Sequence, residues 1–342
     1  MITRAADGTG LDARMGRLRA LLREYGSILV GYSGGVDSVF LAVVALQELG
    51  PERILAVTGR SASYPEVQRR MALDIVERFG IPHLEVDTHE VEDPRYAANP
   101  SNRCYFCKTE LWSVLGPLAA ERGLAVIADG TNADDVGDHR PGSMAGSEAG
   151  VRSPLRDAGL SKADIRALSQ RLGLPTWDAP ASPCLSSRLQ YGVAVTPERL
   201  RAVERAEEAV RDLGFREFRV RHHGDVARLE VAPAELDRAA RMAHELGDAV
   251  SAAGFARVLL DVEGYRRGAM NEGKGLVQLG GAAARAHAEA RVTIAGQASD
   301  IAAVAAPPER LRDVAARAEA IRAQGFRYVA IEIAARTGSS TD

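Results

Sequence analysis

The chain has 342 residues, long for one domain, and two compact units are the natural expectation. Hydrophobic residues make up 46% and charged residues 26%, the balance of a globular protein that can bury a core. A formal net charge of −3, with Lys and Arg spread along the chain, points to neither nucleic acid nor an anionic membrane as partner. The opening MITRAADGTGLDARMGRLRA lacks the apolar core of a signal peptide, and no apolar run approaches the length of a membrane span. With three cysteines and no export signal, a cytoplasmic, reducing setting is expected, which disfavours structural disulfides.

In chain order, SILVGY (27–32) reads as a buried strand, followed by a glycine turn and the helix SVFLAVVALQEL (38–49). RILAVTG (53–59) is a second strand, and YPEVQRRMALDIVERFG (64–80) an amphipathic helix stopped by glycine. PHLEVDT (82–88) and LAVIADG (124–130) complete a strand and helix alternation, which predicts α/β architecture with a doubly wound parallel sheet. Ligands of such sheets sit beyond the carboxyl ends of the strands. From 129 to 192 the chain is rich in Gly, Pro and polar residues, interrupted by the helix SKADIRALSQRLG (161–173) with Ser161 as N-cap. A long irregular stretch of this composition is expected to be functional.

The remainder carries an internal repeat. PERLRAVERAEEAVRDLGFREFRV (197–220) matches PERLRDVAARAEAIRAQGFRYVAI (308–331) at an offset of 111 residues, with a looser copy at 233–260. Each copy is a proline-started helix, a Gly-Phe stop and a strand, so the second domain is expected to be a smaller α+β unit. Arg219 and Arg221 of the first copy become Leu259 and Asp261, then Ala330 and Glu332, in the others. Two arginines two apart on a strand share a face, so only the first copy presents that pair to an anion. The expected division is 1–192, 193–280 and a C-terminal extension 281–342.

YSGGVDS (32–38) is the strongest chemical signal. At a strand-to-helix junction its backbone N–H groups and the helix N-terminus face an anion. Gly34 and Gly35 permit close approach, and Ser33 and Ser38 add hydroxyls. Neither G-x-x-x-x-G-K-[ST] nor G-x-G-x-x-G occurs. The string SGGVDS (Ser33, Gly34, Gly35, Val36, Asp37, Ser38) resembles the pyrophosphate-binding loop of the N-type ATP pyrophosphatases, which split ATP into AMP and pyrophosphate. DGTNADD places Asp129, Gly130, Asn132, Asp134 and Asp135 just beyond LAVIA, where carboxylates suit Mg2+ on the phosphates. Asp37 and Asp135 are the candidate magnesium ligands, Gly130 and Asn132 candidate ATP contacts. TGRSAS (58–63) contributes Thr58 and Ser61 as candidates to line the adenine or ribose.

SGGVDS, NRCYFCKTELW, DGTNADDVGDHRPG, GVRSPLRDAGLSKADIRALSQRLGLPTWDAPASPCLSSRLQYG and GYRRGAMNEG occur in this order. Together they resemble the ATP-dependent sacrificial sulfur transferases, the LarE family, from about residue 17 to 275. The resemblance implies adenylation of the carboxylates of pyridinium-3,5-biscarboxylic acid mononucleotide and their conversion to thiocarboxylates. Two rounds would supply the sulfur atoms of the nickel-pincer nucleotide cofactor used in lactate racemization. The family pattern ends near GYRRGAMNEG, whereas this chain continues for about sixty residues, read here as a structural cover or interface segment.

On spacing alone, Cys104 and Cys107 allow a disulfide, half a zinc site, a redox dithiol or part of a cluster. In the family, the cysteine of PCLSSR supplies the sulfur, either sacrificed to dehydroalanine or joined by two further cysteines on a 4Fe-4S cluster. Cys184 matches that position, and Cys104 and Cys107 match the added C-x-x-C pair. The expectation is a cluster on Cys104, Cys107 and Cys184, with one iron lacking a protein ligand. Arg188, Arg219, Arg221 and Glu230 are the implied contacts to the substrate, Asp37 and Cys184 the catalytic candidates. Tyr105 and Phe106 are expected to pack locally, and His222 and His223 to be packing or surface residues. The implied partners are a nucleotide substrate and a sulfide or cysteine-desulfurase sulfur source, in a homo-oligomer. The competing readings are a tRNA thiolase or amide-forming ligase on the same loop, or a nucleotide-sensing module.

Overall fold

The computed structural model describes residues 8–135, 141–180, 182–266 and 291–335, in two compact units divided between Cys184 and Leu185. Residues 136–140 of the acidic loop and 267–290, including the end of GYRRGAMNEG, lie outside the described residues. In the first unit the elements are α1 (Gly8–Tyr25), β1 (Ile28–Gly31), α2 (Val36–Leu49), β2 (Ile54–Arg60), α3 (Glu66–Phe79) and β3 (His83–Asp87). There follow α4 (Pro94–Ala97), α5 (Arg103–Glu121), β4 (Val126–Ala128), α6 (Pro141–Glu148), α7 (Pro154–Asp157) and α8 (Lys162–Arg171). Helices α1 and α5 fall in segments for which the apolar pattern proposes no element.

The four strands form a parallel sheet in the order β3-β2-β1-β4. Successive side chains of β1 take opposite faces: Ile28 and Val30 join a core with α1, α2 and α8, while Leu29 packs with Trp112 and Leu115 of α5. Covering both faces requires the continuous apolar run seen in SILVGY. Each fully buried Leu, Ile or Val there contributes about 1.5–3 kcal/mol. The strand order reverses between β1 and β4, so the crevice beyond their carboxyl ends is the ligand position of such sheets. That crevice is bounded by the loop 32–35 after β1 and by Asp129 and Gly130 after β4.

In the second unit, α9 (Pro197–Asp212), β5 (Phe218–His223), β6 (Val226–Val231), α10 (Leu236–Arg241), α11 (Ala243–Ala252) and β7 (Arg257–Asp261) come first. β8 (Arg291–Ala295), β9 (Ile301–Ala305), α12 (Leu311–Ala315), α13 (Ala318–Arg322) and β10 (Tyr328–Ala335) follow. All six strands form one mixed sheet, β5-β6-β7-β10-β9-β8. The described part of the C-terminal extension is thus not set apart: β10 pairs with β7, antiparallel, and carries β9 and β8 with it. Backbone pairing supplies the reason, since β7 would otherwise present an unpaired edge. Among the described residues no helix is long and apolar enough to cross a membrane.

Candidate functional site

After β1 the chain turns at Gly34, whose φ is +69° and where a Cβ would lie 2.5 Å from Ala72 Cβ on α3. Only glycine meets both conditions. Gly35 is the extended N-cap of α2, with no side-chain cap, which leaves the helix N-terminal amides to a ligand. Ser38 Oγ donates to the Gly35 carbonyl at 3.1 Å and lies 3.2 Å from Ser33 Oγ. The Ser33 carbonyl accepts from Gln68 Nε2 at 2.7 Å and from the Tyr64 hydroxyl at 3.1 Å. The loop is therefore braced from α3 and its preceding turn. A Cβ on Gly130 would stand 3.1 Å from both Asp37 Cβ and Ser38 N, so the acidic segment touches the phosphate loop by its backbone.

Asp37, on the first turn of α2, accepts from Lys162 Nζ at 2.5 Å through Oδ2. Its other oxygen, Oδ1, is buried with no hydrogen-bond partner among the described residues. Burial raises the Asp37 pKa above the usual carboxylate range, with the Lys162 ammonium pulling against it and Asp135 adding to the rise. A buried carboxylate oxygen without a donor suits a cation, and the hard oxygen set suits the Mg2+ that accompanies ATP. Asp135 Oδ2 accepts from Asn132 N at 3.1 Å, and Asp134 Oδ2 from Lys162 N at 2.8 Å, tying the acidic turn to the start of α8. Asn132 is buried and its Oδ1 accepts from Asp134 N at 3.0 Å.

The TGRSAS segment divides. Thr58 is buried at the sheet, its hydroxyl donating to the Tyr32 carbonyl at 2.9 Å and lying 2.9 Å from His83 Nε2. Ser61 and Ser63 both donate to the buried Glu90 carboxylate, at 2.5 and 2.6 Å. These hydroxyls hold the turn in shape and present no open donor to a nucleotide.

Cys104 and Cys107 lie on the first turns of α5, Cys104 exposed and Cys107 half-buried, and Cys184 closes the first unit, also half-buried. No disulfide bridges them. Burial pushes the Cys107 thiol well above its ordinary value, with Glu90, Cys184 and Cys104 adding to the rise and Lys108 opposing it. The three thiols are therefore within electrostatic reach of one another. Among the described residues, however, no three His, Cys, Asp or Glu side chains converge to hold a metal ion. The expectation of a 4Fe-4S cluster thus has no converged ligand set behind it here. Tyr105 donates to Glu148 at 2.6 Å and Phe106 lies under Arg95, 5.0 Å from its ring centroid, both local contacts.

In the second unit a buried charged network surrounds the predicted arginines. Arg188 makes a two-pronged ion pair with Glu207, at 2.9 and 3.0 Å. Arg219 and Arg221 face Glu230 and Arg228 across the β5–β6 pair. Arg221 Nε donates to Glu230 Oε2 at 2.9 Å, and Arg228 pairs with Glu230 at 2.8 Å and with Asp261. Arg219 stacks 4.9 Å from the Tyr265 ring centroid. Arg188, Arg219, Arg221 and Arg228 and the carboxylates Glu207, Glu230 and Asp261 are all under a tenth exposed. Burial, and next the neighbouring Arg188, holds the Arg219 pKa below its usual value, a repulsion that an incoming anion relieves. Buried ion pairs are often no more stabilising than well-packed apolar residues of the same volume. His222 and His223 are buried packing residues; burial and Arg199 hold His222 to about 4.

Sequence reasoning missed Lys162, Glu90, Glu207, Arg228 and Tyr265. Lys162 was open to detection: it is the first residue of α8, where the helix dipole disfavours a cation, and a residue that breaks a local rule flags function. The capping box of Ser161 and Asp164 keeps that turn formed despite it. The partners of the buried arginines carried no local signal.

A family model described as NAD synthase matches residues 13–99, the span of the phosphate loop and of β1, β2 and β3. An uncharacterized protein of Synechocystis is 43% identical over 264 residues, covering 76% of this chain and 98% of that protein. The pyridinium-3,5-bisthiocarboxylic acid mononucleotide synthase of Lactiplantibacillus plantarum is 34% identical over 262 residues, covering 77% of this chain and 95% of that protein. The NH(3)-dependent NAD(+) synthetase of Chlorobium phaeovibrioides is 28% identical over 46% of this chain and 58% of its own. With the braced phosphate loop and doubly wound sheet already seen, these matches show that the chain belongs to the family of the pyridinium-3,5-bisthiocarboxylic acid mononucleotide synthases, within the PP-loop ATP pyrophosphatase enzymes.

Proposed function

We propose that this protein is an ATP-dependent sulfur transferase that converts the carboxylates of pyridinium-3,5-biscarboxylic acid mononucleotide to thiocarboxylates in nickel-pincer nucleotide biosynthesis. The observation that carries the reading is the braced glycine loop at an uncapped helix N-terminus, in the same unit as Cys104, Cys107 and Cys184. The 34% identity to the Lactiplantibacillus enzyme supports the same substrate class.

The substrate is MgATP together with the mononucleotide. Residues 33–38 and the α2 N-terminus hold the phosphates, Asp37 and Asp135 would offer oxygens to magnesium, and Lys162, paired with Asp37, supplies a positive charge beside the loop. A substrate carboxylate oxygen attacks the α-phosphorus and pyrophosphate leaves, its charge stabilised by positioned donors. A sulfur nucleophile then attacks the acyl carbon and AMP departs. Arg188, Arg219 and Arg221 receive the phosphate of the mononucleotide, with Glu230 orienting Arg221. Cys184 is the sulfur-bearing position.

Cys104, Cys107 and Cys184 are soft thiol donors of the kind an iron–sulfur group takes, but they do not converge as a ligand set among the described residues, so no step is assigned to a cluster. Burial, then Glu90, favours the protonated Cys107 thiol. An external sulfide source or a cysteine desulfurase would restore the sulfur, and the assembly is a homo-oligomer.

The deciding experiment is anaerobic purification with iron and sulfide analysis, followed by pyrophosphate release and protein mass after turnover. Pyrophosphate that appears only with the pyridinium mononucleotide supports the enzyme; release that depends on tRNA, or no release, sinks it. Iron lost in Cys104→Ala supports the cluster. One sulfur lost from Cys184 in an iron-free protein supports sacrifice of that cysteine instead.

A further inference from the structure

The sheet of the second unit is built from two similar halves. The path β5, β6, α10, α11, β7 is an antiparallel hairpin, a helical pair and a strand parallel to the second hairpin strand. The path β8, β9, α12, α13, β10 repeats it. The halves meet antiparallel at β7 and β10, about an approximate two-fold axis. The family resemblance ends near residue 275, before the second half begins. The Synechocystis and Lactiplantibacillus relatives are matched over 95–98% of their own lengths but over only 76–77% of this chain.

The second half reaches the arginine network at two places. Tyr328, which opens β10, stacks on the fully buried Arg228, with the guanidinium carbon 3.6 Å from its ring centroid. Arg228 in turn makes an ion pair with Glu230 Oε1 at 2.8 Å, and Glu230 Oε2 accepts from Arg221 Nε at 2.9 Å. A line of contacts thus runs from Tyr328 through Arg228 and Glu230 to Arg221. At the second place Asp300 Oδ2 accepts from Gln190 Nε2 at 2.9 Å, two residues beyond Arg188, and the intervening Leu189 bridges to His222 on β5. The Gly-Phe stops align Tyr328 with Arg257 of the first half. Arg257 is a quarter exposed and pairs with Glu332. The halves therefore differ at the position that meets Arg228, as packing alone would not require. A desolvated guanidinium over an aromatic face is held strongly and in one orientation.

We infer that the C-terminal half completes the arginine site: Tyr328 and Asp300 are positioning residues that fix Arg228 and the turn at 188–190, so that Arg219 and Arg221 bind a phosphate-bearing nucleotide. The sequence reading of this segment as a cover is thereby extended. The inference rests on the reading of the arginine network as the substrate site, so its test carries a separate arm for that reading.

In the full-length protein, affinities for pyridinium-3,5-biscarboxylic acid mononucleotide and for ATP are measured by calorimetry, with kcat and KM from pyrophosphate release. Tyr328→Leu is expected to weaken mononucleotide binding at least tenfold, raising its KM and leaving saturated kcat and ATP affinity within twofold. Tyr328→Phe, which keeps the aromatic face, is expected to bind as the unaltered protein does, and Asp300→Asn to bind about threefold more weakly. Arg221→Ala reports on the site itself. If Arg221→Ala loses binding while Tyr328→Leu and Asp300→Asn keep it, the inference falls and the site reading stands. If Arg221→Ala binds normally, both fall. Should Tyr328→Leu fail to fold, normal mononucleotide affinity in Asp300→Asn overturns the inference on its own.

Discussion

The two units hold anions by different means. In the first, the phosphate loop is made of backbone: two glycines, an uncapped helix N-terminus and short hydroxyls, with Asp37, Lys162 and the neighbouring Asp134 and Asp135 charged. In the second, the site is made of long side chains whose charges are nearly balanced by Glu207, Glu230 and Asp261. A backbone site is shaped by its own turn and needs little else to stay formed. A side-chain site stays in shape only while every buried charge keeps its partner.

The largest predicted effect breaks the second site. Arg228→Ala leaves the buried Asp261 without its guanidinium and Glu230 with Arg221 alone, and should lower unfolding free energy by about 3–5 kcal/mol in urea denaturation. The corresponding break in the first unit is Gly34→Ala. Its Cβ meets Ala72 at 2.5 Å in a left-handed turn, so a loss of about 3 kcal/mol and of ATP binding is expected. An effect confined to ATP affinity, with unchanged denaturation, would show the loop to be softer than the geometry implies.

The comparison sharpens with pH. His222 has a folded pKa of about 4, depressed below its unfolded value of 6.5. Below 6.5 the unfolded chain binds the proton more readily, so stability is full above that pH and falls as pH drops from 6.5 toward 4. The loss should reach about 3 kcal/mol and be reduced in His222→Phe. Denaturation curves monitored at Trp112 and Trp177, both in the first unit, and by far-ultraviolet circular dichroism test whether the acid-sensitive part is the second. The smallest expected effect is kinetic: Lys162→Gln should slow pyrophosphate release about 100-fold, or roughly 2.7 kcal/mol in the barrier, with little change in stability. A rate within threefold of normal would make Lys162 only the partner of Asp37.

Legibility in the sequence followed the same division. SILVGY and RILAVTG announce strands buried on both faces because Ile28, Leu29 and Val30 must fill two cores at once. SGGVDS announces an anion loop because no other residues accept that turn. Arg219 and Arg221 were legible as a pair on one face, but their pairing with Glu230 and Arg228 was not. Nor was the filling of Arg188's fork by Glu207, or the use of the Thr58 hydroxyl between strands. Helix α5 escaped notice because its apolar residues are interrupted by Cys104, Lys108 and Pro117, while its packing on Leu29 and Val57 decides the matter.

By itself the sequence determined the parallel sheet, the phosphate loop and the repeated helix-and-strand unit, since each is written in local period, turn chemistry or motif. Tertiary structure alone decided that Lys162 meets Asp37 and that Tyr328 meets Arg228. It also decided that the C-terminal repeat joins the sheet at β7 instead of standing apart. These are contacts between residues far apart in the chain, chosen by strand pairing and by the need of buried charges for partners, and no local pattern encodes that choice.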